Sequence, residues 1–423
     1  MRVLRQHADR AEYLEIILEH TLADLPLEPA DRGLIQELTF GVVRWQATLD
    51  WLIARKTHGR NQKGALQILL RLGLYQLFWL SRIPDHAAVH ETVEMAKRLG
   101  FGAQAGFVNA VLRTYLRERA ATEQELRDLK TAQPALGYSH PAWLCGRWEE
   151  RWGTEKLPLL LAWNNTPPPT YARVNTLRAT PETLAAQFET EGVHCVPRPC
   201  DWVGPDLVFE LKSHPPLGGL PSFQQGQFYI QDPSTLLAVC ELDPHPGESV
   251  LDLCAAPGGK TMFIAQLMNN QGQIMAHDLQ IHRRELIRQN CDRLGVTCVQ
   301  LARSTTTVSP DPTAPYDRIL VDAPCSNTGV LRRRVDLRWR IRPEEILRLR
   351  GTQVELLQQA APQLKLGGAL VYSTCSLERE ENEEVTQEFL RAHPGWRLET
   401  ERILLPFVEG VDGAYVARFS RGQ

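Results

Sequence analysis

Two short loops carry the residues with the clearest chemical potential. One reads Asp322-Ala323-Pro324-Cys325-Ser326-Asn327-Thr328-Gly329 and the other Ser373-Thr374-Cys375-Ser376, and each follows a run of strand-forming residues. A lone cysteine at a strand end is most often a packing residue, since a free thiol behaves as a small hydrophobe. Two cysteines over one pocket, with an acid beside them, point to chemistry. A thiolate is accessible near neutral pH and strongly nucleophilic. The pattern therefore suits covalent catalysis, which divides one difficult step into two easier ones.

A third loop is Cys254-Ala255-Ala256-Pro257-Gly258-Gly259-Lys260. Its small residues allow close approach of a ligand to the backbone, and a following helix would present free N–H groups. It is neither a dinucleotide fingerprint nor a Walker A loop. A tight turn with no ligand is the alternative reading. Asp278 follows the next strand, where an acid can bind both hydroxyls of a ribose; a capping or solvated Asp fits equally. Lys260 suits either a contact with the reaction centre or cofactor, or a helix-capping role.

These loops need a scaffold that brings strand ends together. From about residue 241 the chain alternates short buried strands (Ser249–Leu253, Gln273–Ala276, Asp317–Val321, Ala369–Tyr372) with helical segments. That alternation predicts an α/β domain over 241–423, a mostly parallel sheet with ligands outside the strand carboxyl ends. Residues 141–240 mix β-like pieces (Tyr171–Val174, Leu207–Leu211, Phe228–Ile230) with Pro and Gly, which predicts a small α+β connecting domain. Residues 1–140 read as all-helical. Ile35, Leu38, Val42, Trp45, Leu49 and Leu52 make one apolar helical face, and three further stripes run Leu66–Phe78, Val89–Leu99 and Val108–Tyr115.

Composition sets outer bounds. The 423 residues are enough for two or three domains. No apolar run reaches the roughly 20 residues of a membrane span, and Met1–Glu15 is too polar for a secretory signal, so a cytoplasmic protein with no membrane association is expected. The nine cysteines form no CxxC pair, which argues against a zinc site or a disulfide framework. The net charge of −3 is not that of a strongly basic nucleic-acid binder. Its distribution is uneven. Arg332–Arg350 holds eight arginines against three acids, and Glu378–Glu384 holds five glutamates against one arginine. Taken alone, each run reads as a solvated helix face.

Residues 250–260, 322–329 and 374–382 resemble the S-adenosylmethionine, Pro-Cys and Thr-Cys motifs of RNA cytosine-5 methyltransferases. Arg173-Val174-Asn175-Thr176, Gln231-Asp232 and Asp412–Ala417 also fit that family. Asp31–Leu38 through Arg44-Trp45 resembles the helical RNA-binding domain of the NusB antitermination factor. A NusB-like domain joined to such a catalytic unit is the layout of bacterial small-subunit ribosomal RNA cytosine-5 methyltransferases of the Fmu or Sun type. The resemblance implies a Rossmann-like catalytic domain that uses S-adenosylmethionine, with no metal. It implies Cys375 as nucleophile at C6 of cytosine and Cys325 in proton removal or product release. It also implies that Asp322 hydrogen-bonds N3, and that Cys254, Ala255, Ala256, Pro257, Gly258, Gly259, Lys260, Asp278, Arg283 and Asp322 contact the cofactor. The implied partner is small-subunit ribosomal RNA, bound by a monomer. Two alternatives stay open: transfer RNA as substrate, or a ribosomal RNA-binding or assembly protein that keeps the fold without methylating.

In that context the Arg332–Arg342 run is expected beside the pocket, with arginines holding phosphates and Trp339 stacking on a base. The chain departs from the family at two places. No acid occurs between Val296 and Pro310, where an Asp usually holds the adenine end of the cofactor, and Asn327 stands where Gly or Ala is common.

Overall fold

The computed structural model describes residues 1–422 apart from Ala11, Asp24, Asn61, Lys63 and 303–314. They form two units: Met1–Pro167 with Leu331–Arg340, and Pro168–Val330 with Ile341–Gln423.

The first unit is helical. The expected stripes lie on the helices Pro29–Arg44, Gln46–Lys56, Gly64–Trp79, Asp85–Arg98 and Ala105–Arg117. Leu49, Leu52, Leu69, Leu74, Val108 and Leu112 are fully buried in one core. The stripe from Ile35 to Leu52 belongs to two helices rather than one, because the chain breaks at Trp45. A continuous helix would bond the Ala47 N–H to the Val43 carbonyl. Here the Ala47 N–H donates to Ser139 Oγ at 3.0 Å, and the Val43 carbonyl accepts from Trp339 Nε1 at 2.9 Å. Tertiary partners have replaced the local bond.

The replacement comes partly from Leu331–Arg340, a segment remote in sequence. Val335 joins the helical core. Arg338 is fully buried and donates to the carbonyls of Ser139 and Asn164 and to Asn165 Oδ1, at 3.2, 2.9 and 2.8 Å. Asp336 accepts from the Leu14 N–H at 3.0 Å and lies 3.1 Å from Arg340 Nε.

The second unit holds two sheets. In chain order the strands are β1 (Thr170–Val174), β2 (His194–Pro197), β3 (Val208–Ser213), β4 (Phe228–Ile230), β5 (Ser249–Asp252), β6 (Gln273–Ala276), β7 (Val299–Leu301), β8 (Tyr316–Asp322), β9 (Leu364–Thr374), β10 (Trp396–Leu404) and β11 (Ala414–Arg421). The smaller sheet is antiparallel, ordered β2-β3-β1-β4, and with the helix Pro181–Thr190 it makes the α+β part. The larger is ordered β10-β11-β9-β8-β5-β6-β7. Strands β5 to β9 run parallel, while β11 is antiparallel to both β9 and β10. Alternation along the central strands feeds two cores. Leu251, Ile319, Val321, Leu370 and Tyr372 pack on one face, and Val250, Leu320 and Val371 on the other. Burial on both faces explains why these strands read as continuous apolar runs. Strand order reverses between β5 and β8, so the loops after them open at the switch point.

Candidate active site

Strands β8 and β9 are parallel neighbours, and their register sets Asp322 opposite Ser373. The two cysteine loops therefore leave the sheet side by side. Cys325 Sγ and Cys375 Sγ lie 3.3 Å apart. The Cys375 thiol is also 3.1 Å from Asn327 Oδ1, to which it donates. Asn327 adopts a left-handed backbone with φ of 57°, which Asn tolerates better than most side chains. Its amide donates back to the Cys325 carbonyl at 2.7 Å. The residue that looked like a departure in the loop is thus a direct partner of one thiol.

Close contact between the loops demands a glycine. The Gly329 N–H donates to the Cys375 carbonyl at 2.9 Å, and a Cβ at Gly329 would sit 2.7 Å from that oxygen. Behind the thiols, Glu381 accepts from Ser326 and Ser376, and Gln353 donates to both Glu381 and the Pro324 carbonyl. Glu378, Glu381 and Asn382 are buried while Glu384 is exposed, so the acidic run is only in part the solvated helix face its composition suggested.

Asp322 accepts from Lys260 Nζ at 2.6 Å and from Ser373 Oγ at 2.8 Å. Burial alone would lower the Lys260 ammonium, but the adjacent Asp322 carboxylate outweighs it and holds its pKa above the usual lysine value. The Cys325 thiol is pushed well up, first by its hydrogen bond with Cys375, then by burial and by the charges of Cys375 and Glu381. Cys254, in the loop after β5, is raised strongly by burial, so it stays protonated and inert as a nucleophile.

The loop after β5 turns through Gly258, whose φ of 104° favours glycine, into the helix Gly259–Leu267. Its backbone is braced by the next strand end. The Ala256 N–H lies 3.3 Å from Asp278 Oδ2, and the Ala256 carbonyl accepts from Arg283 Nη2 at 2.7 Å. Asp278 Oδ1 accepts from the Gln280 N–H at 2.9 Å. Asp252, fully buried at the end of β5, accepts from the Thr261 hydroxyl at 2.6 Å through Oδ2, and its Oδ1 has no partner among the described residues.

The comparisons with known proteins agree with this layout. Family models match residues 239–419 as 16S rRNA methyltransferase RsmB/F, residues 1–117 as the NusB family, and residues 140–203 as the RsmF/B-like ferredoxin-like domain. Ribosomal RNA small subunit methyltransferase B of Cronobacter sakazakii is 36% identical, over 98% of this chain and 94% of its own. The protein of the same name from Klebsiella pneumoniae is 37% identical, over 92% and 90%. The chain belongs to the RsmB/F family of 16S rRNA methyltransferases. A solved methyltransferase homologue from Pyrococcus horikoshii is 32% identical, with a TM-score of 0.60, over 68% of this chain and 97% of that one. Another solved chain, 24% identical, shares the fold over 99% of this chain and 97% of its own, with a TM-score of 0.80.

The methyl donor of this RsmB/F chain is S-adenosylmethionine. The residues at the β5 and β6 ends fit it. Asp278 is oriented by two backbone N–H groups and keeps acceptor positions that could take ribose hydroxyls. Residues 254–260 could pass close to the donor, with Arg283 steadying them from behind. Where the resemblance implies an acid for the adenine end, Ala302 offers none; its carbonyl accepts from Arg284 Nη1 at 2.8 Å. Arg303 and Ser304, the other positions singled out there, lie outside the described residues.

For Arg332, Arg338 and Trp339 the expectation of a phosphate-gripping, base-stacking run is corrected. Arg332 and Arg338 are buried within the helical unit, Arg332 stacks 4.2 Å over the Trp163 ring, and the Trp339 indole is bonded to the Val43 carbonyl. These side chains serve helix ends and packing, so they are not available to grip phosphates or stack on a base. Composition could not reveal this, because a buried arginine and a phosphate-binding one look alike in a basic run.

Proposed function

We propose that the chain methylates C5 of one cytosine in small-subunit ribosomal RNA, with Cys375 as nucleophile and Cys325 assisting proton removal or release. The observation that carries the reading is the pair of thiols 3.3 Å apart, from adjacent parallel strands, beside an aspartate held by Lys260.

C5 of cytosine is a weak nucleophile. The Cys375 sulfur adds to C6, and the thiol proton ends shared between Asp322 and N3 of the ring, which makes C5 enamine-like. The negative charge that develops on the ring is relieved at N3, where Asp322 and the Lys260 ammonium supply the proton-sharing partner. When bound, S-adenosylmethionine supplies an electrophilic methyl group. C5 then carries both a methyl and a hydrogen. Removal of that proton, assisted by Cys325, restores the double bond as the C6–S bond breaks and Cys375 leaves. Burial and the neighbouring thiol favour the protonated form of Cys325, which suits a proton-handling role, while Cys375 donates its S–H to Asn327 Oδ1 and gives up that bond when it attacks C6.

Cys375→Ala should form no covalent RNA adduct and should not methylate. Cys325→Ala should still form the adduct and accumulate it. The opposite pattern would exchange the two roles. Bisulfite sequencing of ribosomal and transfer RNA, with and without the gene, tests the substrate: loss of 5-methylcytosine from transfer RNA alone would defeat the ribosomal reading.

A further inference from the structure

Cys325 and Cys375 sit on separate loops, and nothing in either loop alone dictates their spacing. The residues that follow them, Ser326 and Ser376, place their hydroxyl oxygens 3.0 Å apart. Both hydroxyls donate to Glu381 Oε2. Glu381 Oε1 accepts from the Ser326 N–H at 2.8 Å and from Gln353 Nε2 at 3.0 Å. Gln353 Nε2 also donates to the Pro324 carbonyl at 2.8 Å, so the Cys325 loop is held on both sides of the cysteine.

Four donors thus converge on one carboxylate that is fully buried. They match its roughly four acceptor positions. No lysine, arginine or histidine pairs with Glu381 among the described residues, so the charge is met by hydrogen bonds alone, the strong charge-assisted kind. The carboxylate cannot slide, because its own backbone is fixed. The Glu381 carbonyl accepts from the Tyr372 hydroxyl at 2.5 Å, and Tyr372 lies on β9 just before Cys375.

We propose that Glu381 is a positioning residue: its carboxylate ties the segment bearing Cys325 to the segment bearing Cys375 and sets the distance between the two thiols. The inference rests on the catalytic reading of those thiols. Glu381 touches neither sulfur and acts through Ser326 and Ser376.

The test measures thiol spacing and turnover separately, in the full-length protein. Spacing is read without RNA or methyl donor, as the rate at which diamide joins the Cys325 and Cys375 peptides, followed by peptide mass. Diamide takes up the two thiol hydrogens and is reduced to its hydrazine as the S–S bond forms. In Glu381→Ala the joining rate should fall about tenfold or more, and kcat roughly a hundredfold, the scale of a misplacement near 1 Å. KM for S-adenosylmethionine should stay within about twofold, because the 254–260 loop takes no bond from Glu381. Glu381→Gln should recover most of both rates, since an amide can accept from Ser326 and Gln353 while donating to the two hydroxyls, which can accept. Should the alanine protein fail to fold, Glu381→Asp decides, because it keeps the charge and shortens the reach. Unchanged joining and turnover in the folded variant would overturn the proposal, as would parallel losses in kcat and cofactor binding. If the wild type joins its thiols and Glu381→Ala does not, yet the wild type methylates no RNA, the proposed function fails while the spacing role stands.

Discussion

The sulfur atoms of Cys325 and Cys375 are 3.3 Å apart, although the residues come from different strands. A disulfide needs about 2.05 Å between sulfurs, so only a small loop movement separates the reduced pair from a covalent one. Mild oxidation should therefore link Cys325 to Cys375 ahead of other cysteine pairs and abolish methyl transfer. Dithiothreitol should restore it. Peptide mapping under non-reducing conditions identifies the bond, and full activity in the linked protein would show that neither thiol is needed.

The Lys260–Asp322 contact leads to a second expectation. In the proposed mechanism the Lys260 ammonium, bonded to Asp322, helps that carboxylate offset the charge that develops at N3 of the ring. Lys260→Met should lower the single-turnover rate by roughly 10²-fold, the usual scale for a lost acid–base or electrostatic partner. Thermal stability should change little by comparison. A variant with an unaltered rate would remove Lys260 from the mechanism.

Asp252 offers a pH test of stability. Burial pushes its carboxyl up to about 7, against the Thr261 hydroxyl bond that favours the charged form. The unfolded value is near 3.9. A carboxyl raised on folding stabilises fully below the unfolded pKa, and that contribution is lost as pH rises through the folded pKa. The protein without its cofactor should lose stability between about pH 4 and pH 7 from this group. Asp252→Asn should flatten that slope and raise stability at pH 8 by on the order of a few kcal/mol. Parallel melting curves for the two proteins across this pH range would count against the buried charge.

Arg338 makes a prediction about the helical unit alone. Replacing it with Met strands the Asn164 carbonyl and Asn165 Oδ1, which it now satisfies at 2.9 and 2.8 Å. The cost should be about 2–4 kcal/mol. Calorimetry should show this as a lower melting temperature, with S-adenosylmethionine affinity unchanged. A fall in affinity without a fall in melting temperature would be the wrong pattern.

Much of the site could be read from residue order because strand ends announce themselves. An apolar run buried on both faces, followed by Pro-Cys or Thr-Cys, gives the strand and the reactive group together, as at Ile319–Val321 and Leu370–Tyr372. What escaped was anything whose partner is distant. Glu381 sits in an acidic run that composition assigns to solvent, and only the fold brings Ser326 and Gln353 to it. The break at Trp45 is invisible in the apolar periodicity, because the helices on either side keep the same phase while Ser139 and Trp339 take over the hydrogen bonds. Strand β2, His194–Pro197, is short and half-exposed, and carries no apolar alternation to find. Asn327 was flagged, but its bond to the Cys375 thiol depends on a left-handed turn that no spacing rule reveals.

The excursion of Leu331–Arg340 into the helical unit changes what counts as a separable piece of this polypeptide. The chain passes between units at Pro167, again at Val330, and again at Arg340. A fragment ending at Pro167 would lack Val335 from its core and Arg338 from its helix ends. Cutting the gene at the apparent linker therefore yields an unfinished N-terminal half. During synthesis the same order holds: the helical region emerges first but waits for about two-thirds of the remaining chain before its last layer arrives. Recombination that exchanged the front of this protein for another would have to carry a ten-residue tenant from the middle of the catalytic sequence along with it.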